Sequence, residues 1–391
     1  MNYMKALTTS PKKDGFFMPP EYATHDGTLM LMPFRGDVWR NHGKEARDVF
    51  LTIAKAISDF EPVFIGVHPT LFSQYESIKL TNITFFECPS DDAWARDVAP
   101  TFIVNAKEDV RAIDWTFNAY GGLTHGLYSP WVADDKVAEI MCDHFHIERY
   151  RMNDFVMEGG AFHIDENGLL LVTEYNLLHP GRNPNLSKEQ IEQKLRDALG
   201  AKKVIWLPRG IYNDETREHV DNVATFIGPG HVLLAYATDV RDAQQPLSER
   251  TMAALKAATD LDGNPLKITT VTMPKAIHRT YFESAALSPT DVSKKRPMNE
   301  RLAASYLNLY LVNGGVIVPK FNQKFDEIAL QQIQAAFPDR KVVMLDTKEV
   351  LLGGGNIHCI TQQLPQGALT YGPYASQSRR HSNGDVKKSP R

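Results

Sequence analysis

The stretch Leu351-Leu352-Gly353-Gly354-Gly355-Asn356-Ile357-His358-Cys359-Ile360 joins three consecutive glycines to a histidine and a cysteine. Consecutive glycines permit backbone angles and close approaches that other residues forbid. The spacing is not Gly-x-Gly-x-x-Gly and no Lys-Ser/Thr pair follows, so a phosphate loop is not indicated. Cys359 lies just past the glycines. One cysteine with a histidine and carboxylates elsewhere in the chain is the pattern of a nucleophile assembled in space. A lone cysteine is also a small core residue, and the stretch alone leaves both readings open.

Three other segments are richer in reactive groups than a core requires. Asp91-Asp92-Ala93-Trp94-Ala95-Arg96-Asp97 puts three carboxylates, an arginine and a tryptophan into seven residues. It could bind a cation or a metal, or form a solvated acidic loop with an Arg–Asp pair. Glu158-Gly159-Gly160 places a carboxylate before two glycines, as a close approach to a ligand or a plain turn would. His219-Val220-Asp221 leads into an apolar run. If it is extended, His219 and Asp221 share one side. The pair then suits a general acid/base beside an anionic anchor, half a metal site, or a structural histidine.

Composition sets the frame. Lys+Arg total 43 and Asp+Glu 47, a formal net charge of −4 in 391 residues, which argues against a nucleic-acid binder. No run approaches roughly 18 apolar residues, so a membrane span is not expected. Cys88, Cys142 and Cys359 cannot build a disulfide framework and lack metal-finger spacing, which suits a reduced, cytoplasmic protein. Residues 1–14 are expected to be a flexible leader. Residues 376–391, with five cations against Asp385, are expected to be a disordered basic tail. No linker divides the span 15–375, and a homo-oligomer stays open.

Strand patterns fall at 62–67, 83–88, 101–104, 169–173, 203–207, 223–227, 232–236, 268–273, 316–319 and 342–345. Helical patterns fall at 44–60, 131–144, 188–199, 249–258 and 327–337. Ser187 and Gln190 predict a capping box at the start of the third. Strands outnumber helices about two to one, which predicts an α/β protein with mixed sheets.

Taken together, a thiol, an imidazole and several carboxylates suit a planar cation attacked by sulfur. Carboxylates are the fork-shaped partners of a guanidinium. The segments, with Phe117–Gly122, Asn183-Pro184, Val204–Gly210, Arg301–Asn308 and Asn313–Pro319, closely resemble the agmatine deiminases, in order from about Phe16 to Pro373. The resemblance implies the pentein fold, a five-bladed α/β propeller of ββαβ-type repeats around a central channel that holds the site, as one catalytic domain.

It also implies roles. Cys359 matches the nucleophile and His219 the general acid/base. Asp97 and Asp221 match the guanidinium-binding pair, and Glu158 the carboxylate that orients and charges His219. Trp94 matches an aromatic of the substrate pocket, and Gly354 and Gly355 the glycines beside the reacting carbon. The expected substrate is agmatine, the intermediate an S-alkylthiouronium, and no metal or organic cofactor is implied. Three positions depart from the usual pattern: Met32 and Tyr120 each stand where Trp is common, and Arg217-Glu218 where Asn-Gly precedes the histidine. None is expected to touch the catalytic set, though Met32 and Arg217-Glu218 could reshape the pocket for the substrate's tail. Three alternatives remain: a deiminase of free arginine (with Arg217 as a carboxylate partner) or of peptidyl arginine; a non-enzymatic pentein-fold binding protein; and a zinc enzyme using His219, His358 and Cys359. An extended 357–360 segment would disfavour the zinc reading by pointing His358 and Cys359 to opposite faces.

Overall fold

Two parallel strands cannot be joined by a tight turn; they need a crossover, usually a helix. The computed structural model describes residues 5–370 and 372–375. Within them, five sheets repeat one pattern: two antiparallel strands, then a strand parallel to the second, reached through a helix.

The second blade is Thr101–Val104, Val110–Thr116 and Arg149–Val156, with the helix Val137–Phe145 in its crossover. The third is Phe162–Ile164, Leu169–Thr173 and Lys203–Leu207, with Lys188–Leu199. The fourth is Ala224–Gly228, His231–Tyr236 and Lys267–Thr272, with Gln245–Ala257. The fifth is Tyr310–Val312, Gly315–Lys320 and Lys341–Asp346, with Phe325–Ala336. The first blade joins distant parts of the chain. Its late strand Gln362–Pro365 pairs antiparallel with His25–Leu31, which pairs parallel with Val63–Val67, itself parallel to Ile83–Glu87. That pairing closes the five-bladed ring, the pentein architecture.

The local chemistry explains the elements. Leu169–Thr173 is buried along its whole length and reads as a continuous apolar run, as a strand covered on both faces must. The helix Lys188–Leu199 opens with the expected capping box and ends at Gly200, whose φ of 71° is left-handed. It buries Ile191, Leu195, Ala198 and Leu199 against Leu170 and Val172. In the first crossover helix, Arg40–Ser58, residues Asn41, His42 and Gly43 have positive φ. Its regular turns therefore start near the predicted Lys44.

Each expected strand has a counterpart, but several strands were not legible, including His25–Leu31, Val110–Thr116, Arg149–Val156 and most of the blades' opening strands. The helix predicted over 131–144 begins later, at Val137, after a short 3-10 turn Asp134–Lys136. The residues before it are held by a clasp instead: Asp91 Oδ2 accepts from the N–H groups of Ala133 and Asp134, and Asp134 Oδ1 from those of Asp91 and Asp92. Residues 5–14, from the stretch expected to be a flexible leader, lie against the second and third blades. Leu7 N–H donates to Arg149 O at 2.8 Å, and Asp14 accepts from Arg111 and Tyr150. The expected tail 376–391 lies outside the described residues. Among those described, no helix is long and apolar enough to cross a membrane.

The capping box gives a clean stability test. Ser187→Ala is expected to cost about 1 kcal/mol, lowering Tm by no more than about 3 °C in thermal denaturation, with catalysis unchanged because the cap lies on an exposed turn.

Candidate active site

Each blade enters its first strand through a short turn, and these turns pack against one another at the centre of the ring. Asp97 lies in the single helical turn Ala95–Val98 before the second blade. Glu158 precedes the 3-10 turn Gly159–Ala161 of the third. His219 and Asp221 border and occupy the turn Val220–Asn222 of the fourth. Asn308 stands just before the fifth, and Cys359 lies in the turn His358–Ile360 that leads back into the first. The residues predicted from sequence are thus brought together, one blade at a time.

Two local expectations change. His219 to Asp221 is not extended; the 3-10 turn brings the two side chains together. Asp214 enforces that turn, accepting from the N–H of Thr216 and of His219. The segment 357–360 is also a turn rather than a strand, and His358 swings away from Cys359 toward Asp221 and Glu21. The set His219, His358 and Cys359 is therefore not a metal cage. Among the described residues the one trio of such side chains whose ligand atoms all lie within 4.8 Å of one another is Glu21, His163 and His358. The Arg96 guanidinium, 3.7 Å from Glu21, already supplies a positive charge there.

The acidic loop is not solvated. Asp92, Arg96 and Asp97 are all buried. Asp92 accepts from the indole N–H groups of Trp39 and Trp94, at 2.7 and 2.9 Å, which fixes Trp94 in the cleft wall. Arg96 donates to His358 O and Gln363 Oε1. Asp97 Oδ1 accepts from Gly160 N–H and Oδ2 from the Tyr120 hydroxyl, both at 2.9 Å.

His219 sits between two carboxylates. Its Nε2 is 3.6 Å from Glu158 Oε2, and its Nδ1 3.8 Å from Asp97 Oδ1. Burial alone would make it less basic. Asp97, Glu158 and Asp221 outweigh burial and raise its pKa to about 9, so it is an imidazolium at neutral pH. Burial pushes Asp97 up despite His219, which lowers it, and Asp221 and Glu158 push the same way as burial. Glu158 goes the other way: Arg182 and His219 overcome its burial and hold it below the usual range. Asp221 is likewise held low against burial, by His358 and His219.

Cys359 Sγ faces Asp221 Oδ2 at 3.6 Å and the Asn308 amide nitrogen at 3.2 Å. Burial, then Asp221 and Asp97, push its thiol well above the ordinary value. At rest Cys359 is therefore a thiol. Cys88 and Cys142 are buried as well.

A narrow cleft reaches this sulfur, lined by Trp94, Asp97, Tyr120, Glu215 and Gly354 among others. Gly354 has φ of 115°, and a Cβ there would stand 2.1 Å from Glu215 Oε1. At Gly355 a Cβ would come within 3.0 Å of Cys359 Sγ. Both glycines do lie beside the nucleophile.

Tyr120 corrects an expectation: it touches the catalytic set directly, through Asp97. Met32 is a core residue, and Glu218 is buried against Arg209. Arg217 stands outside the cleft lining, while its neighbours Glu215 and Thr216 line it. Sequence reasoning missed Arg182, Asn308, Asp214 and Glu215. Asn308 ends a run singled out for its resemblance, so that run offered a pointer. Arg182 had none beyond its place beside Asn183-Pro184. It is fully buried, with Nε 2.8 Å from Glu158 Oε1, and it donates to Tyr120 O and Thr216 O.

Gly160 permits three polar side chains to close in at once. A Cβ there would lie 2.7 Å from His219 Nδ1, 2.8 Å from Asp221 Oδ2 and 3.1 Å from Asp97 Oδ1. Gly160→Ala is expected to lower kcat by about a hundredfold or more, since ångström displacements of catalytic groups cost that much. Its far-ultraviolet circular dichroism should remain that of the parent chain.

Residues 17–365 match the family model described as Porphyromonas-type peptidyl-arginine deiminase. Agmatine deiminase of Ectopseudomonas mendocina is 46% identical over 371 residues, covering 93% of this chain and 100% of that protein. Agmatine deiminase of Pseudomonas fluorescens is 43% identical over 366 residues, covering 93% and 99%. The solved agmatine deiminase of Enterococcus faecalis superposes with a TM-score of 0.90 at 42% identity, covering 93% of this chain and 100% of that one. With the model matched over nearly its whole folded length, the chain belongs to the Porphyromonas-type peptidyl-arginine deiminase family, alongside its agmatine deiminases.

Proposed function

We propose that this chain is an agmatine deiminase, a hydrolase of C–N bonds in linear amidines that converts agmatine and water to N-carbamoylputrescine and ammonia, a step toward putrescine. The observation that carries this reading is a buried thiol facing Asp221, with Asp97, Glu158 and an imidazolium beside it and a small cleft leading in. The relatives named above carry that activity in their names.

The chemistry follows from the charges. In the resting site Asp97 and Asp221 hold the thiol protonated. A guanidinium bound between them offsets their charge, and the thiol gives its proton to solvent as the cation arrives; the protonated product returns one when the thiolate leaves. Asp221 Oδ1, buried and without a hydrogen-bond partner, is free to accept an N–H of the planar cation. The thiolate attacks the central carbon and gives a neutral tetrahedral adduct. The His219 imidazolium passes its proton to the departing nitrogen, and ammonia leaves. The planar S-alkylthiouronium stays on Cys359. Neutral His219 then takes a proton from water, whose oxygen attacks the same carbon. The thiolate departs, N-carbamoylputrescine forms, and the site resets. Glu158, pinned by Arg182, keeps His219 charged and aimed.

Glu215 is a carboxylate on the cleft wall, bound by Lys294 and Arg296 from the segment covering that side. Its charge is answered there, so the choice of agmatine over arginine rests on the named relatives, which are agmatine deiminases. We assign one catalytic domain to 15–375. With its cysteines free and buried, a reducing cytoplasm is the fitting compartment.

Incubation with agmatine should yield ammonia and N-carbamoylputrescine, identified by mass spectrometry, with kcat/KM at least about tenfold above that for arginine or a blocked arginine peptide. Arginine preferred by that margin would sink the agmatine reading. Cys359→Ala should abolish ammonia release; full retention would sink the nucleophile assignment. The rate should also depend on His219. Its folded pKa is raised, so the proton it donates is present through neutral pH and lost as pH rises through about 9. An alkaline limb of kcat near that value is expected; a limb near the ordinary histidine pKa of about 6.5 would contradict the assignment.

A further inference from the structure

One histidine beside the nucleophile has no part in the reaction as written. His358 is buried, with Nδ1 2.9 Å from Asp221 Oδ2 and Nε2 2.8 Å from Glu21 Oε2. A neutral imidazole has one N–H and one acceptor nitrogen. Two ionised carboxylates, one at each nitrogen, are both satisfied only when the ring carries both protons. The other charged or titratable groups facing it are Arg96, 3.7 Å from Glu21, and His163, whose ring centre is 5.0 Å away. Burial and Arg96 disfavour the charge, but Glu21 and Asp221 prevail and raise the His358 pKa. His163 is driven down to about 4, by burial and then by His358, and stays neutral.

We propose that His358 is a positioning residue for the deiminase reaction: an imidazolium wedged between Glu21 and Asp221. It occupies Asp221 Oδ2, keeps that carboxylate ionised, and leaves Oδ1 for the guanidinium. The proposal rests on the agmatine reading for its kinetic arm alone.

Two amide substitutions separate the two nitrogens. In His358→Asn the amide nitrogen stands near the place of Nδ1 and keeps the bond to Asp221. In His358→Gln it reaches toward the place of Nε2 and Glu21, leaving Asp221 unsupported. His358→Asn should stay within about threefold of the parent KM for agmatine. His358→Gln should raise KM about tenfold or more and move the acid limb of kcat/KM to higher pH, because Asp221 then protonates more readily. A merely structural histidine would give two variants that differ in Tm but not in KM or pH profile. Equal KM values, or a lower KM in the Gln variant, overturn the proposal.

Ring-nitrogen NMR of the unliganded parent chain tests it without substrate. The signal is assigned by its loss in His358→Asn. Both nitrogens should be protonated at pH 7, and in Glu21→Gln one proton should be lost at lower pH than in the parent. A neutral, singly protonated ring at pH 7 overturns the proposal even if agmatine proves to be the substrate. Should agmatine not react, the deiminase reading fails on the parent chain while the NMR result still decides the charge. His358→Gln that fails to fold leaves Glu21→Gln to carry the same decision.

Discussion

A carboxylate moved from water into a protein interior stays ionised only when a cation or several N–H donors meet it. This ring buries Glu21, Asp97, Glu158 and Asp221 within a few ångströms of its centre, and that constraint shapes what surrounds them. Arg182 answers Glu158, Arg96 and His358 answer Glu21, and His358 also answers Asp221. Three of the four carboxylates are therefore held low, while Asp97 is left raised. The resting site has a deficit of positive charge at Asp97, beside the sulfur. In the proposed reaction that is where the guanidinium restores the balance, and the same event removes what kept the thiol protonated, so that binding and activation of the sulfur are one electrostatic step.

The fold supplies the convergence. Each blade presents its entry turn to the centre, so five short turns deliver Asp97, Glu158, His219 with Asp221, Asn308 and Cys359. A turn before a strand is tied at one end by the ladder and at the other by the preceding crossover. Its side chains are therefore fixed by rigid neighbours, not by a mobile loop. The strand Gln362–Pro365, which follows the Cys359 turn, pairs with His25–Leu31 and so ties that turn to an early strand of the fold.

What was legible in the sequence follows from this geometry. The second and third strands of the third, fourth and fifth blades lie in apolar runs, and periodicity finds them, whereas His25–Leu31, Val110–Thr116 and Arg149–Val156 mix charged or polar residues with apolar ones and escape it. Several opening strands escape it. Phe162–Ile164 has three residues, Gln362–Pro365 is mostly polar in composition, and both follow turns whose residues are chosen for chemistry rather than pattern. The five-fold repeat was invisible for the same reason: the corresponding positions hold Asp, Glu, His, Asn and Cys. Residue types with a chemical signature, such as Cys359, His219, Asp97, Asp221 and Glu158, could be matched to a known family. Arg182, Asp214 and His358 could not be assigned roles that way. Their parts are defined by what they touch from distant segments, and nothing local in the sequence announces such contacts.

Tyr120 shows how far those contacts reach. It sits in a run, Ala119 to Gly122, in which every φ is positive. Two of those residues are not glycine, and each such conformation costs of order 1–3 kcal/mol unless the surroundings impose it. Arg182 imposes it from below by donating to Tyr120 O, and Asp97 from above by accepting the Tyr120 hydroxyl. The same guanidinium binds Glu158 and the carbonyl of Thr216, three residues before His219. One buried arginine thus links Glu158, the segment before His219 and Tyr120, the partner of Asp97. The strain in the turn is the cost of placing a hydroxyl against Asp97. It also explains why a residue outside the reacting set governs the site: releasing Arg182 would free the turn, and with it the hydroxyl that orients the carboxylate awaiting the substrate.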